Sequence, residues 1–286
     1  MKKSLSPENI VVIIPSERLN FSDDERLSIA RCRKILGRYA IVAVLPEKFR
    51  DSVKPSELEG VKFEYFPDRY FRSTRTYSRL LLSSEFYARF KSYEYMLIHQ
   101  TDALVFRDEL LEWAEKGYDY IGAPWFAGDC ARDNNSMVGV GNGGLSLRKT
   151  SSFMDILEKG DISSELERLY SIPAHFGLRN LALLKIFIYL KKRGVNFPYR
   201  KIFISFLFTH RCPNEDIFWG AFARLFNDTF KIPSCDEALK FSVEVNPRRC
   251  FKILGEKLPF GCHAWAKLDR EFWEEVRGEV LKFENA

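Results

Sequence analysis

The sequence predicts an α/β fold with a mainly parallel sheet covered by helices, and three observations carry that prediction. IVVIIP (10–15) and YAIVAVLP (39–46) are short, apolar and closed by proline, as buried strands ending at loops are. Between them, DDERLSIARCRKILG (23–37) spaces Leu27, Ala30, Ile35 and Leu36 near the helical period, opens after Ser22 and stops at Gly37. VKFEYFP (61–67) then alternates apolar and polar residues as a third strand, which sets the order strand, helix, strand, strand.

Further along, SRLLLSSEFYARF (78–90) reads as one helix. YEYMLIHQTDALVF (93–106) reads as a strand, Tyr95 to Ile98, running into a polar turn and a second apolar pair, Leu104 and Val105. ELLEWAEKG (109–117) is a short helix stopped by Gly117, and YDYIGAPW (118–125) a strand and turn. GDCARDNNSMVGVGNGG (128–144) reads as a polar, glycine-rich loop, of the kind that is functional or mobile inside a compact domain. LSLRK (145–149) returns to strand, and SSFMDILEKG (151–160) is a capped helix ending at Gly160.

The stretch NLALLKIFIYLKKRGVNFPYRKIFISFLFT (180–209) is apolar and basic at once. KKRG and Pro198 split it into apolar pieces too short to span a bilayer, which needs ~20 residues. It reads either as a core helix with its cover or as an interfacial or acceptor-binding helix pair. The expected organisation is one domain over residues 1–286 with a helical, apolar-basic insertion at 160–211, although length alone would also suit two small domains.

Composition narrows the function. Hydrophobic residues at 46% and charged residues at 29% are a globular balance, and 25 Phe with 12 Tyr provide a packed core or stacking surfaces. The net charge of +5 is spread along the chain except between Lys185 and Arg211, which argues against a nucleic-acid binder. It suits an anionic small molecule such as a nucleotide diphosphate, or an anionic membrane surface. Six cysteines without a CxxC pair indicate neither a zinc site nor a redox motif. MKKSLSPENI is followed by no long apolar run before Pro15, so no signal peptide is read and a cytoplasmic location is expected.

Four places can carry chemistry. Asp102 stands just beyond the end of a buried strand, where open α/β sheets bind ligands, although Asp is also a common turn residue. VGVGNGGLSLR (138–148) has glycines that let backbone approach a ligand, but lacks the Lys-Ser/Thr of a phosphate-binding loop. Glu215 and Asp216 follow a proline at a helix start; they either favour the helix dipole or supply a general base. His263, between Gly261 and Trp265, is structural or, with Asp102, a ligand for a divalent cation on a diphosphate.

Taken in order, HQTDALVF, YDYIGAPW, VGNGGLSLRK, NEDIFW, ALKFSVE and LPFGCHAW resemble the bacterial family catalogued as domain of unknown function 5672, whose members are similar to GT-A glycosyltransferases. The resemblance runs from about Val11 to Trp273 and leaves much of 160–211 uncovered. It implies a GT-A-like fold: a Rossmann-like nucleotide-binding half joined to an acceptor half. It also implies a nucleotide-sugar co-substrate and a divalent metal, Mn or Mg, held by Asp102 and His263. The motif departs from the acid-x-acid pattern in having one acid, Thr101-Asp102-Ala103, so Asp102 is alternatively a ribose or sugar contact. By the same resemblance Pro15 and Ser16 border the base, Gly143 and Gly144 lie under the donor sugar, and Trp125 stacks on a ring or fills the core. Arg148 or the metal stabilises the departing diphosphate, and the Glu215–Asp216 pair supplies the acceptor-side carboxylate, Asp216 being the base.

The leading expectation is therefore a metal-assisted glycosyltransferase that moves a sugar from a nucleotide-sugar to a glycan, glycolipid or other cell-surface polysaccharide acceptor, the acceptor partner being a glycan or a lipid-linked molecule. Peripheral contact with the inner membrane through 180–209 is a further expectation. The alternatives are a non-catalytic nucleotide-sugar or carbohydrate-binding protein on the same fold and, more weakly, a nucleotidyltransferase.

Overall fold

The computed structural model describes residues 5–127, 136–158 and 214–284, together with Tyr189 and Arg193. The expected insertion at 160–211, with its apolar-basic stretch, and residues 128–135 of the glycine-rich segment otherwise lie outside the described residues.

β1 (Ile10–Pro15), α1 (Asp23–Ile35), β2 (Ala40–Pro46) and β3 (Lys62–Phe66) fall where periodicity puts them. α1 starts at Asp23 because Ser22 and Glu25 cap each other: Glu25 N–H donates to Ser22 Oγ at 3.4 Å and Ser22 N–H to Glu25 Oε2 at 2.8 Å. The single helix expected over 78–90 is two, α2 (Thr74–Leu80) and α3 (Ser84–Arg89). Ser83 makes the break. Its hydroxyl donates to Leu80 O at 2.7 Å and accepts from Phe86 N–H at 3.3 Å, so it closes one helix and caps the next.

β4 (Tyr95–His99), β5 (Leu104–Val105), α4 (Leu110–Glu115), β6 (Tyr120–Ile121) and β7 (Pro124–Phe126) follow. The segment expected as a loop to residue 144 contains a strand, β8 (Met137–Val140), which pairs antiparallel with β7. β9 (Leu145–Lys149) leads into α5 (Thr150–Glu158). After the undescribed stretch come α6 (Glu215–Ile217), a π-turn over Phe218–Phe222, α7 (Cys235–Phe241), β10 (Ser242–Val243), α8 (Pro247–Ile253), β11 (Gly261–Cys262) and α9 (Trp265–Glu284).

The central sheet has the order β3-β2-β1-β4-β9-β6, and only β9 runs against the other five. The α/β class and the mixed, mostly parallel sheet expected from the sequence are thus observed. Period-two alternation splits the sheet's side chains between two cores. Val11, Ile13, Val42, Val44, Met96 and Ile98 face α2, α3, α5 and the 218–230 segment, while Ile10, Val12, Ile14, Ala43, Leu45 and Leu97 face α1 and α4. A third cluster joins α8 and α9 to the small sheet β10-β11-β5. The described cysteines, Cys32, Cys235, Cys250 and Cys262, are free. Among the described residues no helix is long and apolar enough to cross a membrane.

Candidate active site

From β1 the chain steps outward through β2 to β3, then returns to place β4 on the other side of β1. That reversal leaves a crevice at the C-terminal ends of β1 and β4, the position at which open α/β sheets bind ligands. A cleft of about 620 Å³ lies there, lined by Pro15 and Ser16 after β1, Gln100 to Asp102 after β4, Phe71 to Thr74 and Tyr77 on one wall, and Trp265 to Lys267 on another. Ser16 is fixed by its N–H to Val44 O at 3.0 Å and its hydroxyl to Arg18 O at 2.7 Å. Arg18 in turn pairs with Glu25 at 2.7 Å, and Thr101 donates to the same Glu25 oxygen at 2.8 Å. Burial opposes the charge of Glu25, but donors from Ser22, Arg18 and Thr101 hold its carboxyl below the usual range. Arg72 and Lys267, both exposed on the cleft, make no ion pair among the described residues.

His263 stands beside Asp102 at the edge of this cleft. It follows β11, its N–H bonds Val243 O at 3.0 Å, and Ala264 turns the chain into α9 at φ 52°. Its Nε2 is 3.1 Å from both Asp102 Oδ1 and Gln100 Oε1, and its Nδ1 is 2.9 Å from Glu244 Oε1. Burial disfavours the imidazolium, yet the hydrogen bonds and charges of Asp102 and Glu244 outweigh it and raise the ring to about 10. Burial likewise opposes ionisation of Asp102, and the His263 hydrogen bond reverses this and holds the carboxyl below its ordinary value.

Asp216, at the start of α6, accepts from Asn142 N–H at 3.1 Å through Oδ2 and from Ile217 N–H at 2.9 Å through Oδ1. Burial, then the charges of Glu215 and Glu244, push it up to about 7, which puts it in the range of a general base near neutrality. Its neighbour Glu215 faces the other way. It is 4% exposed, pairs with Arg148 Nη2 at 3.0 Å and accepts from Ser78 Oγ at 3.0 Å.

Arg148 therefore does not reach the cleft as expected. It is fully buried, with Nε donating to Ser146 Oγ at 3.1 Å and Nη1 to Tyr87 Oη at 3.0 Å, and its charge is spent on Glu215. The physical reason is alternation along β9, which turns residue 148 into the core face that carries Tyr87 and Phe153.

The glycines are small because side chains of this protein occupy the space. A Cβ on Gly144 would fall within the His263 ring and one on Gly143 against Glu215 Oε1. The half-buried ring of Trp125 lies against Gly139, Gly141 and Gly220, at a distance that a Cβ on Gly139 would reduce to 2.9 Å. Gly144→Ala is expected to cost about 1–3 kcal/mol in thermal or urea unfolding, as overpacking does, and to displace the His263 ring. An imidazole NMR spectrum unchanged from wild type would contradict the second effect.

Of the residues singled out in the sequence, Pro15, Ser16 and Asp102 share the cleft, and His263 touches Asp102. Asp216 connects to that group through Asn142, and Gly143 and Gly144 lie beneath Glu215 and His263. Arg148 and Glu215 form a buried pair, and Trp125 packs on the neighbouring glycines. Sequence reasoning missed Gln100, Asn142, Glu244, Arg72 and Lys267. Gln100 had a signal: it sits two residues before Asp102, the first position of an acid-x-acid motif, with an amide oxygen in place of the carboxylate.

Residues 60–263 match the model of the family described as protein of unknown function (DUF5672), a narrower span than the motifs implied at both ends. No curated protein matches the sequence. Among solved structures, the chain is similar to a glycosyltransferase involved in glycosylation of the major capsid of PBCV-1, at 11% identity and TM-score 0.38 over 94% of this chain and 98% of that one. It is also similar to an active-site variant of LgtC, at 13% identity and TM-score 0.44 over 94% and 95%. A third is the apo-form glycosyltransferase GlyE of Streptococcus pneumoniae TIGR4, at 12% identity and TM-score 0.40 over 95% and 62%.

Proposed function

The chain belongs to the DUF5672 family, and we propose that it is a nucleotide-sugar-dependent glycosyltransferase of GT-A type acting on a glycan or lipid-linked acceptor. One observation carries the reading: the switch-point cleft combines the Asp102–His263 pair with two cations, Arg72 and Lys267, that make no ion pair among the described residues. Such a set favours a diphosphate, and Asp216, linked to His263 through Asn142, has a proton affinity suited to a hydroxyl-activating base.

In this reading Pro15 and Ser16 border the nucleoside, and Arg72 and Lys267 bind the diphosphate. Asp216 accepts the proton of the acceptor hydroxyl as its oxygen bonds to the anomeric carbon, and the bond from that carbon to the diphosphate breaks. The nucleoside diphosphate leaves with its negative charge held by the two cations. The divalent cation implied by the resemblance would be held by Asp102 Oδ1, Gln100 Oε1 and His263 Nε2, two oxygens and one imidazole nitrogen, with the Nε2 proton that now bridges to those oxygens given up to it. The two oxygens come from one carboxylate and one amide, and among the described residues no group of three His, Cys, Asp or Glu is placed to hold a metal. When bound, Mn or Mg would supply positive charge to the diphosphate.

The single acid at this position favours a second reading, a non-catalytic nucleotide-sugar binder. Thermal stabilisation against UDP-, GDP-, CMP- and dTDP-sugars, with and without manganese, tests both. A ligand at a hundred times its dissociation constant stabilises by roughly 2.7 kcal/mol. A shift with one nucleotide class, lost in Asp102→Ala and His263→Ala variants that stay folded, is expected. Stabilisation with no transfer to any acceptor would favour the binder, and no stabilisation by any donor would count against both. Peripheral membrane contact through 180–209 belongs to the same proposal and is checked by flotation with anionic liposomes at low salt, where protein left at the bottom of the gradient refutes it.

A further inference from the structure

We propose that Asn142 is the positioning residue that fixes Asp216 relative to His263, an inference that rests on reading Asp216 as the base. Asn142 is 3% exposed and adopts φ 73°, a left-handed conformation that asparagine tolerates better than other side chains. Its main chain and its side-chain oxygen are engaged. Its N–H donates to Asp216 Oδ2 at 3.1 Å, and its carbonyl accepts from Tyr120 Oη at 3.0 Å. Its Oδ1 accepts from Gly144 N–H at 2.8 Å and Leu145 N–H at 3.3 Å. Its Nδ2 lies 3.2 Å from His263 Nδ1; with that nitrogen protonated toward Glu244, the amide is a wall against the ring and not a donor to it.

One residue thus meets the base with its main chain and the donor-side imidazole with its side chain. Asp216 has two N–H donors, one from its own helix start at Ile217 and the other from Asn142. The Ile217 bond is local and would follow any rotation of α6, so among the described residues Asn142 is what ties the carboxylate to the turn before β9. The same residue reaches the metal side by a second path. Its Oδ1 closes the turn into β9, and Gly144 O in that turn accepts from Gln100 N–H at 2.8 Å, two residues before Asp102. The left-handed backbone is what allows the N–H and the side-chain oxygen to point to opposite partners.

The test follows the Asp216 carboxyl by carbon NMR in the full chain, together with amide exchange at Gly144 and Leu145, for Asn142→Ala, Asn142→Gly and Asn142→Asp. Alanine resists the left-handed conformation, so Asp216 loses its donor and its titration midpoint rises by roughly 0.5 to 1 on the pH scale. Glycine keeps that conformation and the donor, so the midpoint stays. Both remove the side-chain oxygen, and Gly144 and Leu145 exchange about fivefold faster; aspartate keeps the oxygen and the protection. A residue that merely supports the fold would lower the melting temperature without separating Ala from Gly at Asp216. Identical Asp216 titration in those two variants, or unchanged exchange in the glycine variant, overturns the proposal. If the alanine variant does not fold, the glycine and aspartate exchange rates decide it. None of these readouts needs a substrate, so failure of the wild-type chain to transfer sugar would overturn the reaction and not the hydrogen bonding.

Discussion

Glu215→Ala is expected to lower the melting temperature by about 5–8 °C, because it leaves the Arg148 guanidinium buried without its counter-charge. Breaking one side of a fully buried pair costs about 3–5 kcal/mol. Here every donor of the guanidinium that is engaged points to a buried partner: Ser146, Tyr87 and Glu215. Arg148→Met should cost a similar amount by stranding Glu215, which Ser78 alone cannot neutralise. The double variant Arg148→Met, Glu215→Leu should recover most of the loss, since the coupling within such a pair is large and an apolar replacement of similar volume avoids the desolvation cost. Thermal melts of the three variants and wild type close the cycle. Additive losses would show that the pair is not the source. Loss of transfer in Glu215→Ala with an unchanged melting temperature would restore Glu215 to the chemistry and contradict the structural part assigned here.

That pair also marks where sequence reasoning stops. Periodicity and punctuation are local, so β1, α1, β2 and β3 were legible from their own residues, and so was the placement of Asp102 beyond a strand end. The pairing of Arg148 with Glu215 joins positions 67 residues apart, and nothing near either residue reports the other. The resemblance offered Arg148, or the metal, as the diphosphate contact, and which side of β9 Arg148 faces is fixed only by the register. With β9 antiparallel to β4, Met96 faces Arg148 and fixes the face. Glu215 and Asp216, adjacent in sequence, are separated for the same reason: the start of α6 sends one carboxylate to the core and the other to Asn142. The glycines of 139–144 were legible as small residues but not as spaces filled by Trp125, Glu215 and His263, which arrive from distant parts of the chain. Ser83 is a different case. Its capping role was available locally, but the apolar run LLLSSEF continued the helical pattern across it, and the hydroxyl's two hydrogen bonds decided the break.

Asp216→Asn is expected to reduce transfer between about 100- and 10,000-fold, the range a general base contributes, with donor affinity retained. The effect on stability has the opposite sign at alkaline pH, and the two together separate a base from a structural carboxylate. In the folded chain Asp216 holds its proton up to about 7, whereas the unfolded carboxyl releases it near the ordinary value of 3.8. Between those values the folded state binds the extra proton. Stability therefore falls as pH rises through the window, and above it the full cost of an ionised, partly buried carboxylate beside Glu215 and Glu244 is present. Asparagine cannot ionise. At pH 5 the variant should be the less stable, because its amide can accept from only one of the Asn142 and Ile217 N–H groups, a loss of about 1 kcal/mol. At pH 8 the gap should close or reverse. Urea unfolding at the two pH values measures this directly, and a gap that is constant with pH would mean that Asp216 titrates normally in the folded chain. The wild-type rate should rise through the same interval as the carboxylate forms. A rate insensitive to pH between 5 and 8, with Asp216→Asn as active as wild type, would remove Asp216 from the reaction even if the stability curves behave as described.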